Sequence, residues 1–136
     1  MNRRRFVTLS LPGLCLAAAG AKGLATTPDQ DFARQWMLLT INGEAIQPGV
    51  TLDLTDPARL SGQGPCNRWF ARQTAELPAL AVVAIGATRR ACAELALEQR
   101  FLLVLSDMTL ARISQTGTLV LTGPEDQSLE FSPLAE

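Results

Sequence analysis

Only three cysteines stand in this 136-residue chain, and two of them, Cys66 and Cys92, sit in short segments able to support chemistry: Gly62-Gln63-Gly64-Pro65-Cys66-Asn67-Arg68 and Thr88-Arg89-Arg90-Ala91-Cys92. Two chemistries are open to the pair. The sulfurs can join as a disulfide, or Cys92, flanked by Arg89 and Arg90 at a predicted helix start, can be held as the thiolate of a thiol enzyme or redox sensor. Asn67, Arg68 and Arg89 form a candidate binding surface, offering one amide and two guanidiniums to an anion. The competing reading has Asn67 bonding backbone groups in its own turn while Arg68 lies across a sheet surface.

The missing residues narrow the chemistry further. There is no His and no Tyr, and the single Lys is Lys22. Histidine triads, histidine-ligated zinc and a lysine in the domain core acting as Schiff base or general base are excluded on inventory. The 26-residue spacing of the cysteines is far from a Cys-x-x-Cys dithiol, and the 13 acids are scattered rather than paired. The expectation is a protein that is not an enzyme and takes no cofactor or metal.

The first 25 residues set the compartment in which the cysteines would operate. Arg3, Arg4 and Arg5 precede a mostly apolar stretch from Phe6 to Ala19, followed by small residues as far as Ala25. That is the grammar of a signal peptide, cut after Ala21 or Ala25. Asn2-Arg3-Arg4-Arg5-Phe6-Val7 also resembles a twin-arginine signal, and both export routes stay open. About fourteen apolar residues are too few to cross a hydrocarbon core that needs roughly twenty. Leu14 and Pro12 do not suit a lipobox around Cys15, so lipidation is not expected. The predicted location is the periplasm or the exterior, where an even pair of cysteines favours the disulfide.

Cleavage removes Arg3, Arg4, Arg5 and Lys22 but no acid, moving the formal charge from −1 to −5, or to −4 where Lys22 remains. An acidic product does not suit nucleic acid, whose phosphates call for a basic face. What remains is one domain's worth of chain. Residues 26–34 read as a flexible lead-in and residues 35–133 as the domain, expected to be monomeric.

Several elements must position the cysteine segments. Residues 36–41 read as a buried first strand ended by Asn42-Gly43, and residues 51–55 alternate with Leu52 and Leu54 on one face. Asp56-Pro57-Ala58 turns that strand into residues 59–62. Residues 69–73 and 80–85 are further strands, the second apolar enough to be covered on both faces. Leu97, Phe101, Val104 and Leu105 mark one amphipathic helix over about residues 90–105, capped by Thr88, with Glu98 among its polar positions and Cys92 in its first turn. Residues 109–113, 118–121 and 128–131 read as a closing meander. The fold class is α+β, mainly β. Trp36 and Trp69 are expected in packing rather than in ligand stacking.

Leu60-Ser61-Gly62-Gln63-Gly64-Pro65-Cys66-Asn67-Arg68 resembles the glycine-rich Gly-Cys-Asn-Arg segment of the META domain, the HslJ-type family of bacterial envelope proteins. Thr88-Arg89-Arg90-Ala91-Cys92, followed by Glu98, Phe101, Leu102 and Leu105, is similar to that family's Thr-Arg-x-Ala-Cys and helix. Trp36, Ile41-Asn42-Gly43 and Leu119-Val120-Leu121 agree as well. Pro65 and Arg90 depart from the pattern, as does the lack of a Tyr after Arg68. The resemblance implies a curved antiparallel sheet or incomplete β-barrel carrying one helix. It also implies a place in heat-shock response, drug tolerance, secretion or motility, with no known reaction. The expected role is an envelope stress-tolerance factor that binds a partner protein or an apolar small molecule. The alternative is a structural accessory module without a ligand pocket.

Overall fold

In the computed structural model, residues 32–134 are described, together with Gly13. The signal peptide expected over residues 1–25, Cys15 and the start of the expected lead-in fall outside the described residues, apart from Gly13.

Among the described residues, nine strands, one α-helix and a short 3-10 turn follow in chain order. They are β1 Gln35–Ile41, β2 Glu44–Ala45, β3 Thr51–Asp56, β4 Arg59–Gln63, β5 Arg68–Gln73 and β6 Val82–Ala87, then α1 Leu95–Ser106. After the helix come β7 Leu110–Ile113, β8 Leu119–Thr122, the 3-10 turn Pro124–Asp126 and β9 Ser128–Pro133. Period-two patterning makes the strands. On β5, Trp69, Ala71 and Gln73 point inward while Arg68, Phe70 and Arg72 are exposed, the signature of a sheet packed on one face. Asn42-Gly43 forms the turn from β1 into β2, and Asp56 braces the next hairpin by accepting the Ala58 amide at 2.9 Å.

The strands form one antiparallel sheet in the order β6-β5-β4-β3-β1-β9-β8-β7, with β2 added on β1. Register shifts interrupt β1–β9 between Leu38 and Thr40, β3–β4 between Asp53 and Asp56, and β5–β6 between Phe70 and Arg72. Bulges of this kind bend a strand and increase its twist. The sheet therefore curls into a half-barrel. Its far ends meet at the segment before β6, where Ala79 bridges Leu110 and the Ala111 amide donates to the Pro78 carbonyl at 2.7 Å.

The helix lines the curl. Phe101 has no exposure and meets the Trp69 ring edge-on at 5.5 Å and the Phe131 ring at 6.4 Å. Trp36, Leu38, Ile41, Leu52, Leu60 and Leu105 complete a closely filled interior. Both indoles are satisfied, Trp36 donating to the Phe32 carbonyl at 3.0 Å and Trp69 to that of Thr51 at 3.2 Å. Both tryptophans are core, as expected.

Two expectations need correction. The helix begins at Leu95, not near residue 90, and Cys92 lies in the loop before it. Glu94 occupies the N-cap and makes no side-chain cap bond. Thr88 is no cap. Its hydroxyl bonds Asn67, and the Asn67 side chain also takes the Arg90 amide and carbonyl out of any helical pattern. The second correction concerns β6, which is not covered on both faces. It is a terminal strand of the sheet, and Val83 is 44% exposed.

Candidate functional site

The β4–β5 loop and the segment entering α1 are joined covalently by the Cys66–Cys92 disulfide, with a Cα–Cα distance of 5.8 Å. The disulfide expected from sequence is present, and Cys92 offers no free thiolate. Closing a loop of this length stabilises the fold by about 3 kcal/mol or slightly more in the chain-entropy model. Glu94 approaches Cys92 to 3.4 Å. The sulfurs are bonded to each other, so the Cys66, Cys92 and Glu94 cluster presents one carboxylate and no thiolate to a cation.

Next to the disulfide, Asn67 is 4% exposed and every one of its polar groups is used. Its backbone N–H donates to Glu98 Oε1 at 2.7 Å, and its Nδ2 donates to Glu98 Oε2 at 2.7 Å and to the Arg90 carbonyl at 3.1 Å. Its Oδ1 accepts from the Arg90 N–H at 2.6 Å and from the Thr88 hydroxyl at 3.0 Å. Its own carbonyl accepts the Gly64 N–H at 2.7 Å. Glu98 is 2% exposed, and one residue meets both of its oxygens. A buried carboxylate is tolerated only where such donors replace water. Gly64 completes the fit, since a Cβ there would collide with Glu98 Oε1.

A groove of about 620 Å³ opens beside this clamp between β6 and α1. Asn67 and Glu98 reach its floor, Ile85, Ala87, Leu95 and Leu102 give it apolar walls, and Arg89 and Arg90 stand along it. One flank is the outermost strand of the sheet and the other a helix, so the groove has the outline of a seat for an elongated guest. Helix, strand and loop are held in place by the disulfide and the Asn67–Glu98 clamp.

The family model of the META domain matches residues 30–136 of this chain. The chain belongs to the META domain family. A structure solved by NMR from Burkholderia xenovorans resembles this META domain with a TM-score of 0.61, at 18% identity and covering 100% of both chains. A second NMR structure resembles it with a TM-score of 0.59 at 20% identity, covering 79% of this chain and 94% of the other. At these identities the likeness concerns the fold. No curated protein matches the chain.

The three members of the predicted binding surface part company in this META domain. Asn67 turns inward to Glu98. Arg68 is exposed on the outer side of β5, and Arg89 is exposed along the groove. Thr88 links the two regions through backbone and hydroxyl, its N–H donating to the Arg68 carbonyl at 3.0 Å and its Oγ1 accepting the Arg68 amide at 3.2 Å. The guanidiniums of Arg68 and Arg89 therefore border different cavities. Sequence reasoning missed Glu98 as a buried partner and placed it among the solvated helix positions. A signal was available, because Glu98, Phe101 and Leu105 follow the three- and four-residue steps of one helix face.

Proposed function

We propose that this META domain is a non-catalytic, exported binding module of the bacterial envelope that supports stress tolerance by holding a partner protein or an apolar small molecule in the β6–α1 groove. One observation carries the reading: a groove of about 620 Å³ with apolar walls lies outside a core that is otherwise filled. That volume is within the range of ligand sites. The interior of the half-barrel is occupied by Trp69, Phe101 and Phe131, so a guest is received at the strand–helix seam rather than inside the curl. The disulfide is compatible with an oxidising compartment. Among the described residues no helix is long and apolar enough to cross a membrane.

The experiment is complementation of a deletion strain under heat and antibiotic stress. The wild-type chain should restore survival, while Leu102→Arg, which puts a charge into the groove wall, should fold with its disulfide intact and fail to restore it. Full complementation by Leu102→Arg would remove the groove from the account. Full complementation by a chain lacking residues 1–25 would remove export from it.

A further inference from the structure

The outer face of the sheet carries a second candidate site, built from arginines around one exposed ring. Arg68, Phe70 and Arg72 alternate on the outward side of β5, and Phe70 is 53% exposed. Register places Arg59 of β4 opposite Arg72, Ser61 opposite Phe70 and Gln63 opposite Arg68. On the other flank Gly86 of β6 lies opposite Phe70, where a Cβ would stand 2.6 Å from ring atoms Cε2 and Cζ. Only glycine lets the ring lie there, so Phe70 is seated against its neighbour rather than loose in solvent. The ring separates two basins. One of about 670 Å³ includes Arg59, Arg68 and Phe70 in its lining, and one of about 430 Å³ includes Arg59, Phe70 and Arg72.

Among the described residues none of Arg59, Arg68 and Arg72 has a carboxylate within ion-pair distance. Like charges directly opposite on antiparallel strands are unfavourable, and Arg59 and Arg72 are such a pair. Among the described residues the only ion pair joins Arg100 to Glu44. Two acids of neighbouring β3 adjoin the arginines, with Asp56 opposite Arg59 in register, and each holds local hydrogen bonds rather than an ion pair. Asp53, which reaches the larger basin, accepts from the Thr55 amide and hydroxyl and from Gln35, and Asp56 accepts from Ala58. This concentration of guanidinium groups stands on a chain that is acidic as a whole, with a formal charge of −1. Arginine rather than lysine makes it, and the planar guanidinium fork suits two-point binding of a carboxylate.

We propose that this face is a docking site for an extended acidic segment of a partner protein, with carboxylates at its first and fifth positions and an apolar side chain at its third. The spacing follows from the strand. Arg68 and Arg72 are four residues apart on β5, about 13 Å at the strand rise of roughly 3.3 Å per residue. A second extended chain advances at the same rate, so its alternate side chains meet Arg68, Phe70 and Arg72 in turn, with Arg59 beside Arg72 and bordering both basins. Two basins parted by a ring suit side chains arriving singly rather than a plane of lipid headgroups.

Binding of the oxidised full-length chain to a labelled nonapeptide centred on Glu-Ser-Leu-Ser-Glu, measured by fluorescence anisotropy at two salt concentrations, tests the proposal. The peptide should bind, more weakly at high salt. The pair Arg59→Gln with Arg72→Gln should lower affinity about tenfold or more, as expected for losing charge-assisted hydrogen bonds. Phe70→Ser should also weaken binding, whereas Arg112→Gln on β7 should not. Unfolding curves establish that each variant is folded. Equal binding of a Lys-Ser-Leu-Ser-Lys peptide, unchanged affinity in both the arginine and the Phe70 variants, or no peptide binding would overturn the proposal. So would arginine-dependent sedimentation with phosphatidylglycerol vesicles in place of peptide binding, which would assign the face to a lipid surface.

Discussion

Asn67 and Arg68 are neighbours in sequence and face opposite fates in the fold. Asn67 is buried, and each of its donors and acceptors has a partner in the protein. Arg68 is exposed, bounds an outer basin with Arg59 and Phe70, and has no carboxylate partner among the described residues. The same dipeptide thus supplies an interior polar clamp and part of an open basic face. A polar residue in a distinctive motif is not thereby a ligand-binding residue. Hydrogen bonds already satisfied within the protein mark architecture, whereas cations left without acids mark a surface available for recognition.

Substitutions on the two sides should separate by size. The largest effect belongs to Asn67→Ala, which keeps the backbone bond to Glu98 Oε1 but removes the Nδ2 donor to Oε2 and leaves the Arg90 backbone and the Thr88 hydroxyl without their partner, so that a buried carboxylate oxygen bears the cost of desolvation. A loss of about 3 kcal/mol or more is expected in denaturant unfolding. Retention of wild-type stability would mean that water replaces the amide and that the clamp is dispensable. Next comes the pair Cys66→Ser with Cys92→Ser, expected to cost about 3 kcal/mol in the same measurement. Wild-type protein unfolded under reductant should show a similar loss, which ties the effect to the disulfide rather than to the serines.

Thr88→Val isolates one bond at the edge of the clamp. It removes the hydroxyl that donates to Asn67 and accepts from the Arg68 amide, and about 1 kcal/mol of stability should go with it. Arg72→Gln on the outer face should have the smallest effect and the opposite sign. Relief of its opposition to Arg59 should leave stability unchanged or raise it by a few tenths of a kcal/mol. A large loss of stability there would erase the contrast between the two sides, because it would make the outer arginine structural as well.

Much of the scaffold was readable from side-chain periodicity. Leu52 and Leu54 on β3, and the alternation through Trp69 and Ala71 on β5, specify which face is buried without reference to the rest of the chain. Phe101, Val104 and Leu105 do the same for the helix. The helix start was not readable, because residues 90–94 include Ala91, Ala93 and Glu94, all good helix formers, and nothing local reveals that Asn67 binds the backbone of Arg90. Glu98 was misjudged for the same reason. Charge predicts exposure unless a partner from a distant segment supplies donors, and its partner is 31 residues away. The outer arginine face depends on strand register. Arg59 and Arg72 become neighbours only when β4 pairs with β5, a relation set by the whole sheet.

The central claim is that Asn67 acts inside the fold through Glu98. The most direct measurement is a double-mutant cycle of Asn67→Ala, Glu98→Ala and the two combined, followed by urea unfolding of the oxidised protein. The clamp predicts strong coupling, with the double variant less destabilised than the sum of the singles by about 1.5 kcal/mol or more. Additivity within about 0.5 kcal/mol would contradict it and return Asn67 to the role of a candidate ligand-binding residue.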